Sequence, residues 1–234
     1  MTPDGYAVNT LYSVYSPHPP DADPARLLPP QMMSTIGDRL NDKGISWAWY
    51  SGGWNEALVG KYDRAFQFHH QPFAYFKNYG DGTEGRKKHL KDEDDLIGDI
   101  EKGTLPAVAF YKPVGEENEH PGYANVASGD DKVADIIERI RKSPAWTNTA
   151  IIVTYDENGG FWDHVAPPRL DRWGPGVRVP TVIVSPLAKR GFIDHTIYDT
   201  TSILALIERR FDLPPLAERD AKANGLANAF ELGR

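Results

Sequence analysis

The stretch "KVADIIERIRKSPAWTNTAIIVTYDENGG", residues 132–160, decides the fold class. Its first part places four aliphatic residues at the spacing i, i+3, i+4 and i+7, which predicts one apolar helix face: Val133, Ile136, Ile137 and Ile140. Pro144 blocks continuation of that helix, and the apolar run over residues 149–155 predicts a short buried strand. A helix followed by a buried strand is the unit from which α/β proteins are built.

The same alternation extends in both directions along the chain. Helices are predicted over residues 34–44, 92–102 and 200–211, and strands over residues 45–50, 105–113 and 179–186. Such alternation predicts an α/β fold whose mostly parallel sheet is covered on both faces. Residues 1–31 are proline-rich and predict an irregular segment, which is either an ordered coil across a surface or a loop cut from something larger. We therefore expect a single α/β domain over residues 1–234.

Composition limits the classes of function. The 234 residues carry a formal net charge of -7, which argues against a dedicated nucleic-acid binder. No apolar run approaches the roughly 18 residues of a transmembrane helix, and the first residues show no signal-peptide pattern. The absence of cysteine excludes disulfides and thiolate metal sites.

Two adjacent acids, Asp156 and Glu157, follow the strand of residues 149–155 directly. Aspartate, asparagine and glycine form tight turns, so this segment can be simply an exit from the sheet. Alternatively, the two carboxylates hold a divalent cation, because ligands of open α/β sheets gather at the carboxyl ends of the strands. In that case Asn158, Asp163 and His164 are expected to support the metal ligands, although Asp163 and His164 also suit a surface ion pair.

Three histidines are further candidates. His69 and His70 stand among aromatic residues in "FQFHHQPFAYF", and His120 follows the strand of residues 105–113 in "GEENEHPGY". Each can hold an anion, ligate a metal or bond to a backbone carbonyl, and the sequence leaves these alternatives open. Together with Asp156 and Glu157 they predict a metal-assisted site for an anionic substrate such as a phosphate ester.

The remaining histidines and tryptophans considered as site residues are better explained as surface or core residues. His18 and His89 lie in polar surroundings and are predicted to be exposed. Sugar binding by Trp47, Trp49 and Trp54 would require their rings to line an open groove, whereas aromatic strands more often serve a core. The sequence contains no Gly-x-Ser-x-Gly elbow, no phosphate-cradling loop ending in Lys-Ser or Lys-Thr, and no His-Glu-x-x-His.

Several long segments resemble the bacterial phosphoesterase family that contains acid phosphatases and phospholipases C, especially its acid-phosphatase branch. The most specific is "VTYDENGGFWDHVAPP", which begins at Val153. The segments "FHHQPFAYF" and "ENEHPGYA", and the longer ones that begin at Leu28 and Val179, are also similar to that family. The resemblance covers essentially the whole chain.

This resemblance implies an alkaline-phosphatase-like, three-layer α/β fold with a mostly parallel sheet. It also implies hydrolysis of phosphoric esters by a hydroxyl nucleophile beside a divalent metal ion, whose identity the sequence leaves open. Asp156 and Glu157 match the metal-binding acids of the family. His70, His120 and His69 match the histidines around the phosphate, and His70 and His120 are the expected catalytic residues.

Two parts of the family pattern are not found. These are the Met-x-Glu-Asn-Arg-Ser-Phe-Asp motif, whose Glu and Asn bind the metal, and the segment with the Ser or Thr nucleophile. The chain therefore resembles the C-terminal portion of a phosphatase, and we expect its sheet to be incomplete. We also expect the isolated chain to be inactive or impaired.

The resemblance further implies a phosphate ester or phospholipid substrate and a periplasmic or secreted bacterial protein, whereas the net charge predicts no nucleic-acid partner. The alternative is a truncated, non-catalytic remnant that binds phosphate, metal or a partner chain. A partial metal shell favours this alternative, because two carboxylates alone bind a cation weakly.

Overall fold

The computed structural model describes residues 11–62, 64–171 and 174–231. The described residues fall into two compact units: the first covers residues 11–33 and 46–139, and the second covers residues 34–45 and 140–231. A single α/β domain over residues 1–234 stays a prediction. Residues 1–10 of the proline-rich segment lie outside the described part of the chain.

Within the described residues there are seven α-helices and five β-strands. The helices are α1 (Ile36–Asp42), α2 (Trp54–Leu58), α3 (Glu84–His89), α4 (Glu93–Lys102), α5 (Val126–Lys142), α6 (Thr201–Phe211) and α7 (Glu218–Lys222). The strands are β1 (Trp47–Ser51), β2 (Leu90–Asp92), β3 (Val108–Lys112), β4 (Ile151–Thr154) and β5 (Thr181–Val184). None of these helices is both long and apolar enough to cross a lipid bilayer.

The first unit contains a three-stranded parallel sheet in the order β2-β1-β3. Trp49 of the central strand pairs with Leu90 on one side and with Phe110 on the other. The predicted parallel sheet is therefore confirmed for this part of the chain. Because the strands are parallel, all three carboxyl ends lie at one edge, where ligands of such sheets bind.

Helix α4 begins and ends where its sequence predicts. The Asp92 side chain accepts a hydrogen bond from the backbone N–H of Asp94, and the backbone N–H of Asp92 donates to the Asp95 side chain. This is a reciprocal cap of the first turn. Gly103 ends the helix in the left-handed conformation, at φ 69°, which glycine adopts without steric cost.

The core of the first unit is aromatic, and it corrects two predictions. His89 is 2% exposed, stacks on Trp47 at 4.2 Å between ring centroids, and bonds through Nδ1 to the Trp47 carbonyl. The predicted exposure of His89 is therefore wrong, and burial lowers its pKa. His18 is partly exposed. Trp47 and Trp54 are also buried, which contradicts sugar binding by an open tryptophan groove.

The described part of the proline-rich segment is an ordered coil, as predicted. The Ser13 hydroxyl donates to the Ala74 carbonyl at 2.8 Å, and the Tyr75 hydroxyl donates to the Leu11 carbonyl at 2.6 Å. The Gln31 N–H donates to the Tyr75 carbonyl at 2.8 Å. These bonds attach the coil to residues 72–76 of the same unit.

An ion-pair cluster joins β3, α4 and α5 of the first unit. Lys132 Nζ lies 2.7 Å from Glu93 and 3.0 Å from Glu117, and the Tyr111 hydroxyl donates to Glu93 at 2.5 Å. Burial alone would lower the pKa of Lys132, but the two carboxylates raise it. The turn at Gly115–Glu117, which leads to His120, is thereby attached to α5.

The second unit differs from the predicted arrangement. Strands β4 and β5 pair antiparallel, with Ile151 opposite Val184, so the mostly parallel sheet does not extend to these two strands. Neither strand is fully buried, and Val182 is 56% exposed. An antiparallel pair can leave one face to solvent, whereas parallel strands are normally covered on both.

Two neighbouring carboxyl groups are buried in the second unit. Glu208 of α6 is 5% exposed and Asp220 of α7 is 2% exposed. The backbone N–H groups of Leu216 and Ala217 donate to Asp220, which stabilises the Asp220 carboxylate. Burial, and then the neighbouring Asp220, raise the pKa of Glu208 to about 7. Glu208 therefore carries the proton at mildly acidic pH.

This pair predicts a pH-dependent stability. The pKa of Glu208 is raised from 4.5 to about 7 on folding, so the folded state holds the extra proton between these values. The free energy of unfolding should therefore fall, by about 1–3 kcal/mol, as the pH rises through this window. Urea denaturation at pH 5 and pH 8 measures the change.

The matched variants are Glu208→Gln and the exposed Glu56→Gln. The side-chain amide introduced by Glu208→Gln can donate to Asp220 at any pH, so this variant should lose most of the difference between pH 5 and pH 8. Glu56→Gln should retain that difference. Equal pH dependence of Glu208→Gln and the unchanged chain would contradict the assignment.

Candidate active site

The carboxyl edge of the parallel sheet is closed by contacts between the ends of β1 and β3. The Gly52 N–H donates to the Lys112 carbonyl at 3.1 Å. A side chain at position 52 would lie 2.6 Å from the Val114 backbone nitrogen, so the close approach requires glycine. These contacts set the positions of Pro113 and Val114, directly after β3.

His70 reaches this edge from a different part of the chain. It lies in a 3₁₀ turn, Phe68–His70, and not at a strand end. Its Nδ1 lies 3.0 Å from the Pro113 carbonyl oxygen, and Trp49 Nε1 donates to the His70 carbonyl at 2.7 Å. Because a carbonyl only accepts, the Nδ1 atom of His70 carries a proton. His70 is 5% exposed and therefore held firmly.

His69 lies beside His70. The two rings meet edge to face, with 5.0 Å between their centroids. In contrast to His70, His69 is exposed, and it lines a cavity of about 360 Å³. The structure therefore brings the two adjacent histidines of the sequence together as one pair, with one ring buried and the other at the surface.

His120 lies in the loop that follows β3 in the same unit. Its backbone N–H donates to Asn118 Oδ1 at 2.9 Å, and its ring stacks on Tyr123 at 4.5 Å between centroids. Its Nδ1 lies 2.7 Å from the Pro121 carbonyl oxygen, and the side chain is exposed. As in His70, the Nδ1 atom therefore carries a proton.

Asp156 and Glu157 follow β4 in the second unit, and both are exposed. The turn behind them is closed by the Phe161 N–H, which donates to the Asn158 carbonyl at 3.0 Å. The Asn158 side-chain amide donates to the Phe161 carbonyl at 2.6 Å. Gly159 and Gly160 have positive φ, as this turn requires. The two acids thus present hard oxygen donors at a strand terminus, which suits a divalent cation.

Asp163 forms an ion pair with Arg178, and a surface ion pair was one of the two roles that the sequence allowed for Asp163. Arg178 donates to both of its carboxylate oxygens, at 2.8 and 2.9 Å, and His164 Nδ1 lies 3.6 Å from it. The hydrogen bonds from Arg178, and then that from the Val165 N–H, hold the pKa of Asp163 well below its usual range. The expected supporting roles of Asp163, His164 and Asn158 toward a metal stay predictions.

The site residues fall into two groups. The three histidines belong to the first unit, and Asp156 and Glu157 belong to the second. Throughout the described ranges, no group of three or more His, Asp or Glu side chains is positioned to share one metal ion. A common site of the histidines and the acids stays a prediction.

The sequence pointed to His70 but not to the residues that position it. Its pattern predicts Trp49 as a core residue and Pro113 as the end of a strand. The bonds that connect them to His70 join residues 21 and 43 positions apart. Local spacing carries no signal for such contacts. Arg64, which lines the cavity beside His69, was also missed.

Curated relatives of this chain are named as phospholipases C. A non-hemolytic phospholipase C of Burkholderia pseudomallei is 29% identical over 231 residues, which cover 76% of this chain and 32% of the relative. Phospholipase C A of Mycobacterium tuberculosis is 29% identical, covering 88% of this chain and 45% of the relative. Non-specific phospholipase C6 of Arabidopsis thaliana is 34% identical, covering 53% of this chain and 30% of the relative.

The chain thus spans less than half the length of these relatives. Its place in an acid-phosphatase branch and its truncation stay predictions, as does the alkaline-phosphatase-like fold. The sequence pattern of the Phosphoesterase family matches residues 12–214, which include all the candidate site residues. This chain is therefore a member of the Phosphoesterase family.

Proposed function

We propose that this chain carries part of the active site of a phosphoric ester hydrolase. The observation that carries the proposal is His70, which is buried and held by two hydrogen bonds at the carboxyl edge of a parallel sheet. It lies within the family match over residues 12–214, and the curated relatives are named as phospholipases C. A fixed imidazole at such an edge suits work on a bound anion.

The histidines are proposed to hold and protonate the phosphate. With Nδ1–H engaged by Pro113, an imidazolium at His70 donates Nε2–H to a phosphoryl oxygen. His120, whose Nδ1 also bonds to a carbonyl, is proposed to bind a second oxygen, and His69 a third. Either His70 or His120 can pass its Nε2 proton to the leaving alcohol as the ester bond breaks.

Asp156 and Glu157 are proposed to hold the divalent metal ion. Their exposed carboxylates fit a hard cation, although two donors alone make an incomplete shell. The bound ion supplies neutralising charge for the phosphoryl oxygens and lowers the pKa of the attacking hydroxyl. That hydroxyl is proposed to belong to a serine or threonine that this sequence does not identify.

Phospholipids are the proposed substrates that the names of the relatives support, and small phosphate esters are the alternative. We also propose that the protein is periplasmic or secreted. The incomplete donor set favours the second candidate function, a non-catalytic remnant that binds phosphate, metal or a partner chain. Turnover separates the two, because only the hydrolase releases p-nitrophenol from p-nitrophenyl phosphate.

The turnover assay is run beside a full-length relative such as the mycobacterial phospholipase C A. We expect the chain to hydrolyse p-nitrophenyl phosphate far more slowly than an intact hydrolase, because the nucleophile motif is not found. Turnover at a rate typical of enzymes, roughly 1–1000 per second, would show that no essential part is missing. Complete absence of turnover together with normal phosphate binding would favour the remnant.

Cation binding tests Asp156 directly. We expect Asp156→Ala to weaken Mn²⁺ binding, measured by isothermal titration calorimetry, by at least about tenfold, because loss of even an indirect partner of a metal costs roughly 10–100-fold. Glu84→Gln removes an exposed carboxylate of the first unit and should leave Mn²⁺ affinity unchanged. Equal Mn²⁺ affinity of Asp156→Ala and the unchanged chain would remove Asp156 from the proposed site.

Phosphate binding tests His70. We expect His70→Ala to weaken binding of inorganic phosphate, measured by calorimetry, and to lower any measurable kcat by roughly 10²–10⁴-fold. His18 is a matched control, because its Nδ1 also lies near a backbone carbonyl, at 3.1 Å from Pro19. His18→Ala should change neither quantity. A phosphate affinity that His70→Ala does not alter would contradict the proposed role.

A further inference from the structure

The cavity beside His69 has no role in the function proposed so far. It lies entirely within the first unit, has a volume of about 360 Å³, and has four aromatic residues in its wall: Tyr12, Tyr62, Phe66 and Phe68. Sites for small molecules typically have volumes of roughly 300–1000 Å³ and predominantly apolar and aromatic walls. By size and lining, the cavity therefore suits a small organic group.

The aromatic rings of the wall support one another around Phe68. The Phe68 ring meets Tyr12, Tyr62 and Phe66 at centroid distances of 5.2, 4.9 and 5.1 Å, each nearly edge to face. Edge-to-face contacts are a favoured arrangement of aromatic pairs and hold each ring in place. Phe66 is 6% exposed and anchors the cluster in the core. A flat or apolar group would therefore meet a wall that is already formed.

Among the described residues of the wall, two carry basic side chains. Arg64 and His69 are both exposed and line the same cavity as the rings. A guanidinium binds phosphate oxygens by paired hydrogen bonds, and a histidine adds a further donor. A quaternary ammonium group, which aromatic cages can also hold, would instead be repelled by Arg64. The wall thus favours an anion that carries a flat or apolar group.

The charged part of the wall adjoins the proposed phosphate site. The His69 ring lies 5.0 Å from the ring of His70, and His70 bonds to Pro113 at the sheet edge. A phosphate held between Arg64 and His69 would place its organic substituent against the rings around Phe68. The modest volume suits a single ring or a short apolar group better than the two acyl chains of a phospholipid.

We infer that this cavity binds the organic group of an aryl or short apolar phosphate monoester, with the phosphate directed to Arg64 and His69. This inference rests on the proposed phosphate-binding role of His69 and His70. Of the two proposed substrate classes it favours the small phosphate esters over the phospholipids. It assigns Phe68 and Tyr62 to specificity and Arg64 to binding of the charged group.

Binding of two phosphonates, which are not hydrolysed, tests the inference on the full chain. We expect phenylphosphonate to bind roughly tenfold more tightly than methylphosphonate, because only the former contacts the rings. Phe68→Leu keeps an apolar side chain without the ring, so it should reduce this ratio to about threefold or less and leave methylphosphonate affinity unchanged. Arg64→Gln should weaken both ligands.

Two controls keep the result interpretable. Phe192→Leu removes an exposed phenylalanine ring of the second unit and should leave the ratio unchanged. Tyr62→Leu repeats the test if Phe68→Leu does not fold, as judged by circular dichroism. Equal binding of the two phosphonates, or an unchanged ratio in a folded ring variant, would overturn the inference. Displacement of phenylphosphonate by tetramethylammonium would also overturn it, since that result assigns the cavity to cations.

Hydrolysis of phenyl phosphate separates this inference from the proposed function. Ring-dependent binding of phenylphosphonate without any hydrolysis would favour the non-catalytic remnant over the hydrolase and leave the binding cavity intact. Hydrolysis of phenyl phosphate with binding that does not depend on Phe68 would support the hydrolase and overturn the cavity's role. Each of the two proposals can therefore fail by itself.

Discussion

The hydrogen bond between His70 Nδ1 and the Pro113 carbonyl is the constraint on which the candidate site of the first unit depends. The Pro113 carbonyl lies just beyond the end of β3, and the His70 imidazole supplies it with a donor through a single ring nitrogen. Trp49 holds the same residue from the central strand by donating to the His70 carbonyl. The sheet edge and the histidine therefore hold each other in place.

The surroundings of His70 follow from the same arrangement. Gly115, just after β3, packs so closely against Ala65 that an added side chain would overlap the Ala65 carbonyl. The loop that leads toward His70 is thus pressed against the end of β3. The rings of Phe66 and Phe68 lie on this loop, and the proline-rich coil adds Tyr12 to them. A coil segment consequently contributes to the wall of a binding cavity.

The chemistry proposed for this family member needs two kinds of group, and the chain provides them in different units. Histidines of the first unit are suited to binding and protonating a phosphate, whereas Asp156 and Glu157 of the second are suited to a cation. The relatives that carry the name phospholipase C are more than twice as long as the region they share with this chain. The function of the whole protein therefore stays a proposal, and turnover is its test.

The sequence by itself determined the elements whose signals are local. The pattern over residues 92–102 predicted α4, and an apolar run followed by acids and glycines predicted β4 with Asp156 shortly after its end. Such signals lie within a few residues of one another, so they can be read without the fold. The sequence also indicated the family, because the motifs of the family are contiguous stretches of the chain.

Only the tertiary structure decided which distant residues meet. It buried His89 against Trp47, paired β4 and β5 antiparallel, and brought His70 to Pro113. Each outcome depends on a hydrogen bond or a packed ring that joins residues far apart in the chain. Such contacts leave no periodic pattern in the sequence, because the two partners become neighbours only when the chain has folded.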